Sequence, residues 1–314
     1  MRNAAAWGCS QNMQVLWMVL AAFVFATMGV CVKIASAYYN SAELVFYRGL
    51  VSLVFLATLT RVQGVALKTA YPGMHVWRST IGVVSMGGWF YAIAHLPLAT
   101  AMTLNYMSSI WIAAFLVGGA LLVWRPGSGA GPLQQGPLVL AVVAGFIGVV
   151  MVLQPSLDPT EMFGGLVGLL SGLASALAYM QVVALGRMGE PEARTVFYFA
   201  LGSAVVGGAA TLVVGASPWE WNQAAWLLPI GVLAALGQLF MTRAFSSAKT
   251  QGAMLTVASL QYSGIVFAAI YSLVLFGDRI SPLGWGGMAV IMASGIAATA
   301  LRARAAPNAP AEEH

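Results

Sequence analysis

VLWMVLAAFVFATMGVCVKIAS, residues 15–36, carries a single charged side chain, Lys33, in 22 positions. A helix crossing a hydrocarbon core about 30 Å thick needs roughly twenty apolar residues at about 1.5 Å of rise each, and this run has that length. It is too long for the core of a signal peptide, and another apolar block follows after a brief interruption, so it reads as a retained helix. Outward from it, blocks of the same kind recur at 41–60, 77–95, 98–123, 136–153, 163–186, 195–215, 226–246, 251–276 and 283–301, separated by short breaks rich in Gly, Pro, Asn and charge. At His95-Leu96-Pro97-Leu98 the division rests on Pro97, which disfavours a continuous helix through the residue before it. The composition agrees: 60% of residues are apolar and 7% charged, where a soluble domain carries roughly 25% charge. An all-α integral membrane protein of ten transmembrane helices is expected, placed as a multi-pass protein of the bacterial inner membrane.

Lys and Arg in the connections are retained on the cytoplasmic side. With the N-terminus inside, the cytoplasmic segments hold Arg2, Arg61, Lys68, Arg78, Arg125, Arg187, Arg194, Arg243, Lys249, Arg302 and Arg304, eleven of the fourteen basic residues, and only Arg279 falls outside. Lys33 and Arg48 lie within spans, while Asp158, Glu161 and Glu220 occupy outside loops. Both termini are therefore expected in the cytoplasm, with 302–314 as a short tail.

Several function classes are excluded. The basic residues are scattered, without cluster or aromatic interleaving, which argues against nucleic-acid binding. Cys9 and Cys31 form no metal or disulfide pattern. No HExxH, P-loop or GxSxG is present, and Gly127-Ser128-Gly129-Ala130-Gly131 is a loop without a βαβ context. Phe276-Gly277-Asp278 lacks the second membrane Asp that a shared-proton dyad requires. His75, His95 and His314 fall in loops or the tail, so neither metal ligation nor general-base catalysis has a constellation. No catalytic residue, metal or cofactor is expected. A sensory or accessory membrane protein is the rival class, but the connections are short and no attached signalling domain is expected.

The halves resemble each other at an offset of about 150 residues. Phe46-Tyr47 matches Phe197-Tyr198, Leu20-Ala21-Ala22-Phe23 resembles Leu170-Ser171-Gly172-Leu173, and Ala101-Met102 falls on Ala253-Met254. A five-helix unit used twice enters the membrane in opposite senses, because five is odd. Such inverted repeats, here 15–153 and 163–301, build many secondary transporters around a central site.

Glu43-Leu44-Val45-Phe46-Tyr47-Arg48, Leu96-Pro97-Leu98-Ala99-Thr100-Ala101 and Phe276-Gly277-Asp278-Arg279 are similar to strings of the drug/metabolite transporter superfamily, in proteins built from two EamA-type domains. The resemblance covers nearly the whole chain. It implies ten helices, a 5+5 inverted repeat, a central cavity, and substrates such as amino acids, nucleotide derivatives or drugs. The stretch from Trp77-Arg78 through Gly88-Trp89 to Leu96-Pro97 looks most like the branch with S-adenosylmethionine carriers. The chain departs from the family where proline often stands in the middle of spans four and nine: Ser108-Ser109 and Ser263-Gly264 remove the residue that would fix a kink. Val123-Trp124-Arg125-Pro126 also replaces a common Gly-Glu ending, leaving Asp278 as the acid of the second repeat alone.

Ionisable groups inside spans usually face a cavity or a partner, because burying charge in hydrocarbon is costly. Arg48 is the foremost substrate-binding candidate, about 10 Å inside the outer boundary by helix rise; a structural ion pair or a snorkelled guanidinium is the equal alternative. Lys33 is about one turn from the outer end of its span, where snorkelling explains it and a pathway role is the alternative. Arg78 and Arg243 sit at inner ends, where positive-inside anchoring accounts for them and lining of the pathway is the alternative. Asn105 and Ser109 share a helical face, as do Ser259, Tyr262 and Ser263, and Ser171, Ser175 and Tyr179. Of the uncharged polar residues, Asn105, Gln238 and Tyr262 are expected to line the cavity, with Tyr179 beside them. Trp89, in Trp89-Phe90-Tyr91, is read either as a stacking wall or as part of an interfacial belt. The expected function is alternating-access transport of small organic metabolites, amino acids or related polar compounds, with the bilayer as the other partner; the oligomeric state is left open.

The charge distribution predicts that reporter fusions will place Ser128 and Glu190 inside and Asp158 and Glu220 outside. A C-terminal reporter active outside would exclude the even number of crossings.

Overall fold

The computed structural model describes residues 2–123, 136–153, 159–247 and 251–305. Arg125, the Gly127–Gly131 stretch, Asp158, Lys249 and the tail from 306 lie outside the described residues. Helices make up the architecture: α1 (Arg2–Ala35), α2 (Ser41–Val62), α3 (Pro72–His95), α4 (Leu98–Asn105), α5 (Ser108–Val123), α6 (Gly136–Leu153), α7 (Pro159–Arg187), α8 (Glu192–Val214), the single turn α9 (Trp221–Ala224), α10 (Leu227–Ser247), α11 (Gln251–Leu260), α12 (Ser263–Leu275) and α13 (Pro282–Ala305). Among the described residues, nine helical stretches are long and apolar enough to cross a membrane. Their side chains are turned outward as a bilayer requires, with Leu212, Val213, Leu140 and Val150 among the most exposed apolar residues. Away from helix ends and breaks, the backbone polar groups of such a segment are satisfied within the helix, which is what hydrocarbon demands.

The stretch outside that set is α3. Its 24 residues are long enough, but His75, Arg78, Ser79, Thr80 and Ser85 dilute its apolar character. It begins at Pro72, five residues before the start at 77 read from hydropathy. Proline is tolerated in a first helical turn because the N–H it lacks there has no helical partner. The consequence is that His75 lies in a buried first turn instead of a loop, and Arg78 is nearly two turns inside the helix instead of at its end.

Local chemistry fixes the other boundaries. Asn40 caps α2 through hydrogen bonds from the backbone of Ala42 and Glu43, while Glu43 accepts from Asn40 N at 2.9 Å, a complete capping box. Gly64, at φ +65°, ends the same helix in a left-handed conformation. Spans four and nine are each broken, between α4 and α5 at Tyr106-Met107 and between α11 and α12 at Gln261-Tyr262. The loss of a proline kink expected from Ser108-Ser109 and Ser263-Gly264 is thus corrected. The breaks form without proline, through tight bonds such as Met107 N to Leu104 O at 3.2 Å and Gly264 N to Gln261 O at 3.1 Å. Each break is held open by a tyrosine seated against glycine. A methyl on Gly264 would lie 2.5 Å from the Tyr106 hydroxyl, and one on Gly295 would overlap the Tyr262 hydroxyl.

Packing joins distant parts of the chain. The most extensive contacts pair α2 with α8, α6 with α13, α1 with α10, and α3 with α7, followed in part by α1 on α12 and α4 on α7. Phe90, Ile93, Leu98, Met102, Leu104 and Ile110 form a fully buried centre. Glycines bring the paired helices into backbone contact, the usual means of close approach in membranes. A methyl on Gly49 would sit 2.5 Å from Ala204 N, and one on Gly207 2.7 Å from Phe46 N. Gly49→Ala and Gly207→Ala should each destabilise the protein by about 1–3 kcal/mol, the usual cost of overfilling a packed interface, read as a lowered unfolding midpoint in detergent. An unchanged midpoint in both would mean that the α2/α8 seam widens without cost.

Candidate functional site: a cavity with two buried arginines

A cavity of about 110 Å³ lies within the bundle, lined by the middle of α1, by the first half of α2 at Arg48 and by α3 from Arg78 to Trp89. Met18, Phe25 and Met28 of α1, Met86 and Trp89 of α3, and Tyr106 at the first break give it an apolar and aromatic wall. Its polar lining comes from Arg48 on α2, Arg78 and Ser85 on α3, Asn105, Ser175 and Tyr179, Gln238 on α10 and Gln261 at the second break. No Asp or Glu is among the lining residues, and the sequence contains none from 44 to 157.

The two guanidinium groups share one aromatic ring. Arg48 Cζ is 5.3 Å and Arg78 Cζ 4.2 Å from the centre of Phe199, distances at which the ring quadrupole attracts a cation. Both arginines are buried, at 6% and 5% exposure. Gly82 leaves room for this arrangement, since a methyl there would lie 2.3 Å from Arg78 Nη1 and 2.8 Å from Phe199 Cε2. Arg78 therefore folds along its own helix, over the glycine one turn on, and presses against α8. The Nε and Nη1 atoms of both arginines are buried without a hydrogen-bond partner among the described residues.

Opposite them is a fixed polar network. Ser85 Oγ lies 2.5 Å from Ser175 Oγ and donates to Ser171 O at 2.9 Å. Asn105 Nδ2 reaches Ser175 Oγ at 3.3 Å and Ser171 Oγ at 3.4 Å. Asn105 faces this network because α4 ends at that residue, leaving it at the mouth of the break. Trp89 Nε1 is buried without a partner among the described residues, so the cavity presents one indole donor beside the arginines.

The structure thus brings together Arg48, Asn105, Gln238, Tyr179 and Trp89, and places Lys33 and Tyr262 elsewhere. Tyr262 is buried against Tyr106, with ring centres 5.9 Å apart, and its neighbour Gln261 takes the place on the cavity wall. Lys33 does not snorkel. Its Nζ is 3.3 Å from Asp278 Oδ2, donates to Leu96 O at 2.9 Å and lies 4.9 Å from the centre of Phe276. Ser272 Oγ completes the Asp278 carboxylate at 2.5 Å. This pair and the bonds of Glu43 to Ser217 N and Oγ, at 2.8 and 2.6 Å, tie together one end of the bundle. Arg243 lies over Trp17, 5.5 Å from the ring centre. Arg78 is the cavity residue that the positive-inside pattern hid.

At the other end, the connection between α2 and α3 is fastened to the start of α8. Glu190 accepts from Thr69 Oγ1 at 2.7 Å and Arg194 Nη1 at 3.0 Å, and its Oε2 lies 3.3 Å from His75 Nε2. Tyr198 stacks on His75 with ring centres 4.6 Å apart and donates to Leu67 O. No group of three His, Cys, Asp or Glu able to hold a metal occurs among the described residues.

The chain is 34% identical over 286 residues to a pseudopaline exporter of Pseudomonas aeruginosa, covering 90% of this chain and 94% of that protein. A riboflavin transporter of Rhizobium johnstonii is 29% identical over 236 residues, 74% of each chain. An S-adenosylmethionine uptake transporter of Rickettsia prowazekii is 23% identical over 270 residues, 84% of each. No protein-family model matches the chain. A crystal structure superposes at a TM-score of 0.61, over 94% of this chain and 99% of that one at 17% identity, a likeness of fold alone. Nine helical stretches able to cross a membrane among the described residues, together with relatives of this kind, make the protein a multi-pass transporter of the bacterial inner membrane and not an enzyme. It belongs to the family of the pseudopaline exporter.

Burial opposes ionisation of Glu190, but the hydrogen bonds from Thr69, Arg194 and His75 and the Arg194 charge outweigh it and hold the carboxyl below its ordinary 4.5. A carboxyl lowered in the fold stabilises it above the unfolded value, and that contribution is lost as the pH falls through the folded one. Unfolding midpoints between about pH 3 and 7 should therefore drop with acid, and Glu190→Gln should lower the neutral midpoint and flatten part of that drop. A variant curve parallel to wild type would deny the cluster any such contribution.

Proposed function

We propose that the protein is a secondary carrier of the drug/metabolite transporter type, exporting small polar organic metabolites, amino acids or related compounds, by alternating access. In this reading α3 is the tenth crossing, residues 15–153 and 163–301 are two EamA-like repeats of opposite orientation, and both termini are cytoplasmic. Reciprocal packing supports the repeat. If α1, α3, α4 and α5 correspond to α7, α10, α11 and α12, then α1 on α10 mirrors α3 on α7, α1 on α11 mirrors α4 on α7, and α1 on α12 mirrors α5 on α7. The pairs α2/α8 and α6/α13 are each self-related. In the proposed orientation the cavity lies at mid-depth, between Arg48 about 10 Å by helix rise from the outer boundary and Arg78 near the inner end of α3, and the Lys33–Asp278 pair lies on its outer side. The relative named as an exporter favours outward transport.

The observation that carries the reading is Arg48, buried on the cavity wall with unpartnered donors and no facing acid. A guanidinium in such a place calls for anionic or carbonyl oxygens, which a metabolite carboxylate supplies. An S-adenosylmethionine-like cargo fits less well, because two arginines repel its sulfonium charge. The absence of a facing acid likewise disfavours lipophilic cations. A thermal-shift screen of amino acids, nucleosides and S-adenosyl compounds identifies ligands. With a ligand in hand, transport should fall in the order wild type, Arg48→Lys, Arg48→Gln, since Lys keeps the charge but loses the planar two-pronged geometry. Normal insertion and unchanged affinity in Arg48→Gln would make Arg48 structural.

A further inference from the structure

We propose that the cargo carries two negative charges, one held by Arg48 and one by Arg78, with its carbon skeleton against the apolar wall beside Phe199. The proposal rests on the reading of the cavity as the transport site and specifies what that site selects. Both guanidinium groups approach the same ring, at 5.3 and 4.2 Å from its centre, so they lie within about 10 Å of each other, the range over which charges interact even in 0.1 M salt. Buried, they are screened less than that. Nothing in the cavity wall neutralises them. Glu43, the nearest acid in sequence to Arg48, is engaged by Asn40 and Ser217, and Glu190 by Thr69, Arg194 and His75.

Hydrogen bonding points to the same number of charges. Four buried donor atoms, Nε and Nη1 on each arginine, are without partners among the described residues. A carboxylate accepts from a guanidinium along two parallel N–H directions, those of Nε and Nη2 or of Nη1 and Nη2. One carboxylate on Arg48 would leave the Arg78 donors and charge unmatched, and the cost of unmatched buried groups is what discriminates between ligands. The site is also built to hold Arg78 where it is. Gly82 leaves the guanidinium its place against Phe199, and Ser79 on the same helix donates to Tyr198 O at 3.1 Å, locking α3 to α8. An anchor serving only the membrane interface would need neither. The recognised class is a small dicarboxylate, or an organic anion of equivalent charge separation, with an apolar or aromatic middle facing Phe25 and Met86.

The test uses the purified full-length protein in detergent at fixed ionic strength, with tryptophan fluorescence and thermal shift as readouts. The probes are succinate, succinamate and succinamide, with phthalate as an aromatic dianion. Succinate should bind about tenfold or more tighter than succinamate, the scale expected of one further charged hydrogen-bonding partner, and succinamide weakest of all. Arg78→Gln should weaken succinate more than succinamate and collapse that ratio, and Arg78→Lys, which retains the charge, should recover part of it. The lysine variant also serves as the control for folding. Equal binding of succinate and succinamate by the wild type, a ratio unmoved by Arg78→Gln, or failure of both dianions to bind overturns the proposal. Succinamate binding that Arg48→Gln abolishes, alongside an unmoved ratio, would leave Arg48 as the anchor of a monoanion and the carrier reading intact.

Discussion

Two guanidinium groups sit inside a bundle of apolar helices without a carboxylate facing them. Arginine does not lose its proton at any ordinary pH, so the bundle must tolerate the charge by other means. It does so with one aromatic face shared between both side chains, a glycine that lets one of them fold along its helix, and a cavity. The other charged groups of the interior are matched. Lys33 has Asp278 and a backbone carbonyl, and Glu190 has three donors. Against that background the arginine pair is where polarity is left over among the described residues.

Broken helices serve the same cavity. At a break the backbone leaves the regular ladder, and irregular backbone at membrane depth is tolerated where protein covers it or where it lines a cavity. Both conditions hold here. Asn105 and Tyr106 at one break and Gln261 at the other contribute to the lining, while Tyr106 and Tyr262 are wedged against glycines of neighbouring helices. Tyrosine in a glycine notch accompanies each break where no proline stands, through tertiary contact.

This explains how far the sequence could be read. Block length and hydropathy located the helical stretches, because lipid imposes composition on any segment that crosses it. Arg48 and Gln238 were singled out as polar groups inside apolar spans, and both lie on the cavity wall. Tyr262 does not, since the stripe Ser259, Tyr262, Ser263 presumes a continuous helix and the break turns the second half to a new face. Arg78 was taken for an anchor because hydropathy starts its helix at 77, whereas Pro72 extends the helix into a polar turn. The partner of Lys33 lies 245 residues away, beyond what local pattern carries.

The glycine seams have a mechanical meaning. Between α2 and α8, Gly49 and Gly207 put backbone on backbone; between α6 and α13, Gly148 and Gly287 do the same, each leaving no space for a methyl group. Surfaces fitted this closely can neither slide nor gape without losing most of their contact energy, since dispersion falls away over a fraction of an ångström. Each pair therefore behaves as one stiff beam. Any movement that exchanges the open and closed ends of the bundle has to be taken up elsewhere, and the two broken spans, already lacking part of their ladder, are the compliant members that connect the beams.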